Sequence, residues 1–208
     1  MKKQVEPGRE QPHSTHEERL PLMTYNSVSE IFEEIDGTRE RLLHTVERMD
    51  EGRQGFSPAP GRWSVAQLCD HLSLVEGSVA KMLGRAVARA EEAGPQRPSD
   101  APFAPVSVEE FVERTRGVKL EAPERARPSD ARPVADSLAS LRDSRDALRA
   151  LAPRLERIDG HAVSLPHPVW GPLNLYQWLL FVGAHEARHL AQIEALKETM
   201  NSAPGESI

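Results

Sequence analysis

Cysteine is almost missing: Cys69 is the only one in 208 residues. A lone cysteine makes no intrachain disulfide and excludes every zinc motif built on cysteine pairs. The usage fits a reducing compartment. An excess of positive charge is missing too. The chain has 26 Lys and Arg against 32 Asp and Glu, a formal net charge of -6. It therefore gains no general attraction to nucleic acid or to an anionic membrane, and neither is expected as a partner. No stretch approaches the roughly 18 apolar residues of a membrane span. The polar N-terminus carries no apolar core of a secretory signal. These absences point to a soluble, cytoplasmic protein; a small-molecule substrate is the expected partner on other grounds given below, and a homodimer is left open.

What is present is enough for one domain with a real core. At 38% hydrophobic and 28% charged residues, the composition suggests a compact unit with solvated tails or a long polar insertion. Residues 1–22 read as a disordered arm and 201–208 as a disordered tail, which leaves 23–200 for the folded domain.

Four helical patterns fill that domain. The first runs from about Ser27 to Asp50, opened by a Ser27/Glu30 capping box, with Val28, Ile31, Phe32, Ile35, Leu42, Val46 and Met49 at helical spacing. A turn region, Gly52 to Gly61, follows. The second opens with Ser64 and Gln67, carries Leu68, His71, Leu72, Val75, Val79, Met82 and Leu83 inward, and should end near Gly94. Seven prolines then mark a long connection, Pro95 to Pro133, with one short helix expected after a Ser107/Glu110 capping box. The third helix spans about Val134 to Arg157, with Leu138, Leu141, Ala147, Leu148, Leu151 and Leu155 inward. A loop from Asp159 to Leu173 leads to the fourth, which starts near Asn174 and buries Trp178, Phe181, Val182, Ile193 and Leu196. No strand pattern is evident. The expected fold is all-α, a four-helix bundle with a long crossover between helices 2 and 3.

The chemistry concentrates in His185-Glu186-Ala187-Arg188-His189. Residues four apart on a helix lie about 40° apart around its axis and about 6 Å apart along it, so both imidazoles can reach one ion. They sit on the inward face, between Phe181 and Val182 before and Gln192, Ile193 and Leu196 after. His71 faces inward on the second helix. Either element alone also fits histidines satisfied by hydrogen bonds in a core. Together, three neutral imidazoles suit zinc, nickel, iron or copper and leave a coordination position for water or substrate.

Trp63-Ser64-Val65-Ala66-Gln67-Leu68 leading to His71-Leu72 resembles the N-terminal motif of the DinB-like superfamily. His167-Pro168-Val169-Trp170-Gly171-Pro172-Leu173, followed by His185-Glu186, His189 and Gln192-Ile193, resembles its C-terminal motif. The likeness spans roughly residues 27–198. It implies the same bundle with the same long connection, and it places the family's metal-binding triad on His71, His185 and His189. Relatives include transferases and isomerases that use mycothiol or bacillithiol, and others described as metal-dependent hydrolases. The implied cofactors are one divalent transition-metal ion (zinc, nickel or iron) and a low-molecular-weight thiol. The implied function is metal-dependent thiol transfer to small electrophiles. The alternatives are a metal-dependent hydrolase and a non-catalytic metal- or ligand-binding stress protein.

The same residues spell H-E-x-x-H, in which Glu186 would be a protease's general base. The extended form needs Gly at 192 and His at 195, where this chain has Gln192 and Ala195. Glu186, turned about 100° from His185, is expected at the margin of the site, bonded to Arg or water. His44 is expected to be solvated, His161 and His167 to lie in a loop, and His13 and His16 in the arm. Trp63 and Trp170 are expected to plug the bundle ends. Cys69 lies about 160° around its helix from His71 and is not a nucleophile candidate. The Arg-rich run from Arg114 to Arg132 reads as a solvated connection.

Overall fold

Three of the four long helices start where a side chain takes up free backbone donors. Ser27 Oγ accepts the Glu30 N–H at 3.0 Å and begins α1 (Val28–Glu47). Ser64 and Gln67 form a reciprocal box, at 3.2 and 2.9 Å, ahead of α3 (Val65–Ala93). Asn174 and Gln177 do the same, at 2.9 and 3.1 Å, ahead of α7 (Leu175–Ser202). Such pairs satisfy two of the four orphan N–H groups at a helix start. The computed structural model describes residues 23–93, 96–98, 100–118, 121–129 and 132–202. The expected arm, with His13 and His16, lies outside these residues, as do Gly94 and positions 203–208 of the expected tail.

Several expectations are corrected. The turn region holds a short helix, α2 (Glu51–Gly55), capped by Asp50 Oδ1 on the Arg53 N–H at 2.9 Å. The short helix of the connection, α4 (Glu109–Thr115), starts after Val108, and Ser107 bonds the Glu109 N–H instead of forming a box. The third helix is not continuous. It divides into α5 (Val134–Arg149) and α6 (Ala152–Leu155). Pro153 has no N–H for the ladder, and its ring crowds the carbonyl one turn back. On α5, Ala147 is exposed, while Ser144 and Arg145 are buried. The loop before α7 contains a β-hairpin, β1 (Ser164–His167) with β2 (Gly171–Asn174). Its three-residue tip turns on Gly171 at φ 81°, a conformation that glycine adopts at little cost.

The helix directions follow from which residues meet. Ile35 lies against Gly183 and Arg39 against Glu186, so α1 and α7 run parallel. A Cβ on Gly183 would sit 2.6 Å from Ile35, so this close approach needs glycine. Glu76 meets Arg145 and Glu91 meets Arg154, so α3 runs parallel to α5 and α6. Arg39 reaches the Leu141 carbonyl and Arg145 the Ile35 carbonyl, so α1 and α5 are antiparallel. Because α3 and α5 are parallel neighbours, the chain must travel back along the bundle between them. The 29 residues of α3 span about 43 Å at about 1.5 Å per residue, which only a long crossover covers.

The apolar core is in two parts. One contains Ile31, Ile35, Leu83, Val87, Leu148, Leu155, Tyr176 and Leu179. The other contains Leu42, Val46, Leu68, Leu72, Leu138, Leu141, Leu190 and Ile193. Between them lies a buried polar layer.

Candidate metal centre

His71 stands two turns into α3, and His185 and His189 stand on successive turns of α7. Because α3 and α7 are antiparallel, these levels meet. Nε2 of His185 lies 3.2 Å from Nε2 of His71 and 3.1 Å from Nε2 of His189. All three ligand atoms fall within 4.8 Å of one another. Ligands on a tetrahedral ion at about 2.0–2.1 Å stand roughly 3.3 Å apart, which the two spacings about His185 match. His71 and His189 are buried and His185 is half-buried.

The far side of two rings decides which nitrogen carries the proton. His71 Nδ1 lies 2.6 Å from the Ala126 carbonyl, on the 3₁₀ turn Glu124–Ala126 of the crossover. His189 Nδ1 lies 2.8 Å from Gln192 Oε1. An oxygen that can only accept requires N–H at Nδ1, which leaves the Nε2 lone pair free for a metal. Burial lowers the pKa of all three, with help from one another's charge at His185 and His189. His189 falls to about 4 and His185 well below its ordinary value. All three are neutral at pH 7 and ready to ligate. Trp63 packs 4.8 Å from the His71 ring, and Phe181 stacks on His185 at 5.4 Å. Trp63 thus lines the triad rather than only plugging a bundle end.

Glu186 is not at the margin of this site. It is 1% exposed and is turned about 100° around α7 from His185, into a cluster with one residue from each long helix. Its carboxylate takes Arg39 Nε and, at 3.0 Å, Arg145. Glu76 takes the same two guanidiniums. Arg145 also bonds Asp36 at 2.9 Å and the Ile35 carbonyl at 2.6 Å. Sequence reasoning missed Arg39, Glu76 and Arg145. The signal was there: Arg39 falls between Ile35 and Leu42, Glu76 between Leu72 and Val79, and Arg145 between Leu141 and Leu148, each on its helix's apolar stripe. A cavity of about 10 Å³, room for about one water centre, separates this cluster from the triad between Glu76 and His185.

The remaining histidines have other work. His167 Nδ1 accepts the N–H groups of Val169 and Trp170, at 3.2 and 2.9 Å, and so shapes the hairpin tip. His44 is exposed, and His161 packs against Tyr176. Gln192 itself is exposed although its amide reaches His189. Cys69 is a core thiol, pushed up to about 12 by burial. The Arg-rich run is only partly solvated: Arg125 and Arg127 are exposed, but Arg132 is tied to Asp70. Among the described residues no helix is long and apolar enough to cross a membrane, and no other cluster of three or more His, Cys, Asp or Glu is placed to hold a metal.

Residues 34–193 match the sequence pattern of the DinB superfamily. The chain is 31% identical over 167 residues to the uncharacterized protein YuaE of Bacillus subtilis (strain 168), covering 79% of this chain and 96% of that protein. Two solved structures share the fold. One is TT2238, described as a four-helix bundle protein, with a TM-score of 0.53 and 23% identity over 81% of this chain and 99% of that one. The other is YfiT from Bacillus subtilis, described as a probable metal-dependent hydrolase with an unusual four-helix bundle topology. Its TM-score is 0.52 at 17% identity, over 84% of this chain and 87% of that one.

Proposed function

The chain belongs to the DinB superfamily, and from that premise we propose that it holds one divalent transition-metal ion (zinc, nickel or iron) on His71, His185 and His189 and transfers a low-molecular-weight thiol to small electrophiles. The observation that supports a metal is the convergence of three Nε2 atoms with two Nδ1 atoms engaged behind them. When bound, such an ion lowers the pKa of a thiol or water at its open position and supplies a nucleophile near neutral pH.

The protein's own residues favour the thiol. Activating water in hydrolysis is commonly the work of a carboxylate base beside the metal. Here Glu186 and Glu76 are committed to Arg39 and Arg145, and no carboxylate joins the triad among the described residues. A thiol needs no such base, since coordination alone deprotonates it. Ala126 and Gln192 keep the protons on Nδ1, and Phe181 and Trp63 flank the imidazoles with apolar surface that restricts water. A second reading, metal-dependent hydrolysis, draws on the description of YfiT.

The test is an assay of metal-loaded protein with bacillithiol, mycothiol and glutathione against a model electrophile, beside a panel of esters and amides. The expected result is thiol consumption that chelation abolishes, with no cleavage of casein-like substrates. Turnover of esters or amides with none of the thiols would replace this reading with the hydrolase.

A further inference from the structure

The crossover is fastened at the helices that carry the triad. Asp70, beside His71 in sequence, is 3% exposed. Its Oδ2 accepts the Ser129 backbone N–H at 2.8 Å, and its Oδ1 accepts from Arg132 at 3.0 Å. Arg132 also donates to Ser73 Oγ at 3.0 Å and Ser140 Oγ at 2.5 Å, so the brace reaches from α3 to α5. Just upstream of Ser129, the 3₁₀ turn ends on Ala126, whose carbonyl meets His71 Nδ1. On α7, Arg188, next to His189, donates to the carbonyls of Thr115 and Val118, at 3.1 and 2.6 Å.

Burying a carboxylate is costly unless its bonds are charge-assisted. Asp70 makes one such bond to a guanidinium and one to a backbone N–H, both on the crossover. One turn of α3 thus presents an imidazole to the metal position and a carboxylate to the segment that orients that imidazole. Resting on the metal reading above, we propose that Asp70 is a positioning residue of the metal centre: by seating Ser129 and Arg132 it keeps the Ala126 carbonyl on His71 Nδ1, so metal affinity and the seating of the crossover are coupled. Linkage makes the coupling reciprocal: what loosens the crossover weakens the metal, and the metal tightens the crossover.

The probe is Co²⁺ titrated into metal-free protein and read by its visible absorption. Asp70→Asn keeps the shape but has one acceptor oxygen where two are used. Its Co²⁺ affinity should fall about 10–100-fold, the usual cost of losing an outer-shell partner, with a changed absorption band as His71 loses its fixed orientation. Arg132→Met, which leaves the Asp70–Ser129 bond, should shift both in the same direction by less, and it decides the matter if Asp70→Asn does not fold. Arg154→Met, which breaks the Glu91 pair near the far end of α3, should change neither. Trypsin reads the reciprocal effect at the Arg125–Ala126 bond, where Arg125 is exposed and Ala126 is buried against His71 until the crossover loosens: Co²⁺ should slow cleavage there in the parent and not in Asp70→Asn. Unchanged affinity and spectrum in both variants, or cleavage of the parent indifferent to Co²⁺, would overturn the proposal. A parent chain that binds no Co²⁺ would instead remove the metal reading beneath it.

Discussion

The consecutive residues His185 and Glu186 belong to two clusters that differ in what they lack. Glu186 enters a set of two guanidiniums and two carboxylates whose charges and hydrogen bonds are met within the protein. His185 enters a set of three neutral imidazoles whose Nε2 atoms face only one another. The two share one polar layer and two of its helices, α3 and α7. One is closed and ties the bundle together; the other brings together three groups that could hold a metal ion. A buried ion cluster is retained at a desolvation cost, and breaking it is far worse than never having built it. The comparison teaches that H-E-x-x-H on this helix divides its work by face: histidines toward the site, glutamate toward the frame.

The largest expected effect breaks the closed cluster. Glu186→Gln leaves Arg39 and Arg145 short of a charge and should cost about 3–5 kcal/mol in urea unfolding, as removal of one partner from a buried pair does. The folded fraction should still take one metal per chain, and any thiol transfer should fall by less than about tenfold, below the usual loss of a general base. Metal loss without destabilisation would reverse the roles assigned to the two clusters.

The converse substitution opens the comparison from the other side. His71→Ala should weaken metal binding as much as His189→Ala, by more than the roughly 10–100-fold of an outer partner. It should cost the metal-free protein about 2–4 kcal/mol, from the buried Ala126 carbonyl left without a donor and the cavity left beside Trp63. In the parent, metal at about 100 times its Kd should add about 2.7 kcal/mol to stability, and His71→Ala should lose that gain. Calorimetric scans with and without chelator check both.

A smaller effect sharpens the difference by pH. Burial depresses His71, His185 and His189, and His167 falls to about 4 for the same reason. In metal-free protein the unfolded chain therefore binds more protons than the native one between about 6.5 and about 4. Stability is full above that window and declines as pH falls through it. Urea midpoints at pH 7 and pH 5 should show the decline, and His167→Asn should reduce it without changing metal stoichiometry. A midpoint unchanged from pH 7 to pH 5 would contradict the buried, neutral state of these rings.

The sequence made the histidine cluster easier to read than the closed one. His71, His185 and His189 lie on apolar stripes, and an imidazole there has few explanations. Arg39, Glu76 and Arg145 lie on the same stripes, but long charged side chains often snorkel to solvent from such positions, and only packing shows that these three meet Glu186. Three long helices were legible from capping residues at the required spacing; α5 has no side-chain cap and was legible only from its apolar repeat. The hairpin was not, because its strands are four residues long and each contains a proline that argues against a strand. Pro166 pairs with Pro172, which confines the missing donors to one rung. The seating of Ala126 on His71 joins residues 55 apart, and no local pattern announces it.

The central claim is that three histidines from two helices hold one ion, and anomalous scattering from crystals of the metal-loaded protein tests it most directly. One peak per chain is expected at the metal's absorption edge, about 2.0–2.1 Å from Nε2 of each of the three histidines, with His71 Nδ1 still on the Ala126 carbonyl. A peak held by His185 and His189 with His71 turned away, or no peak between α3 and α7, would contradict it.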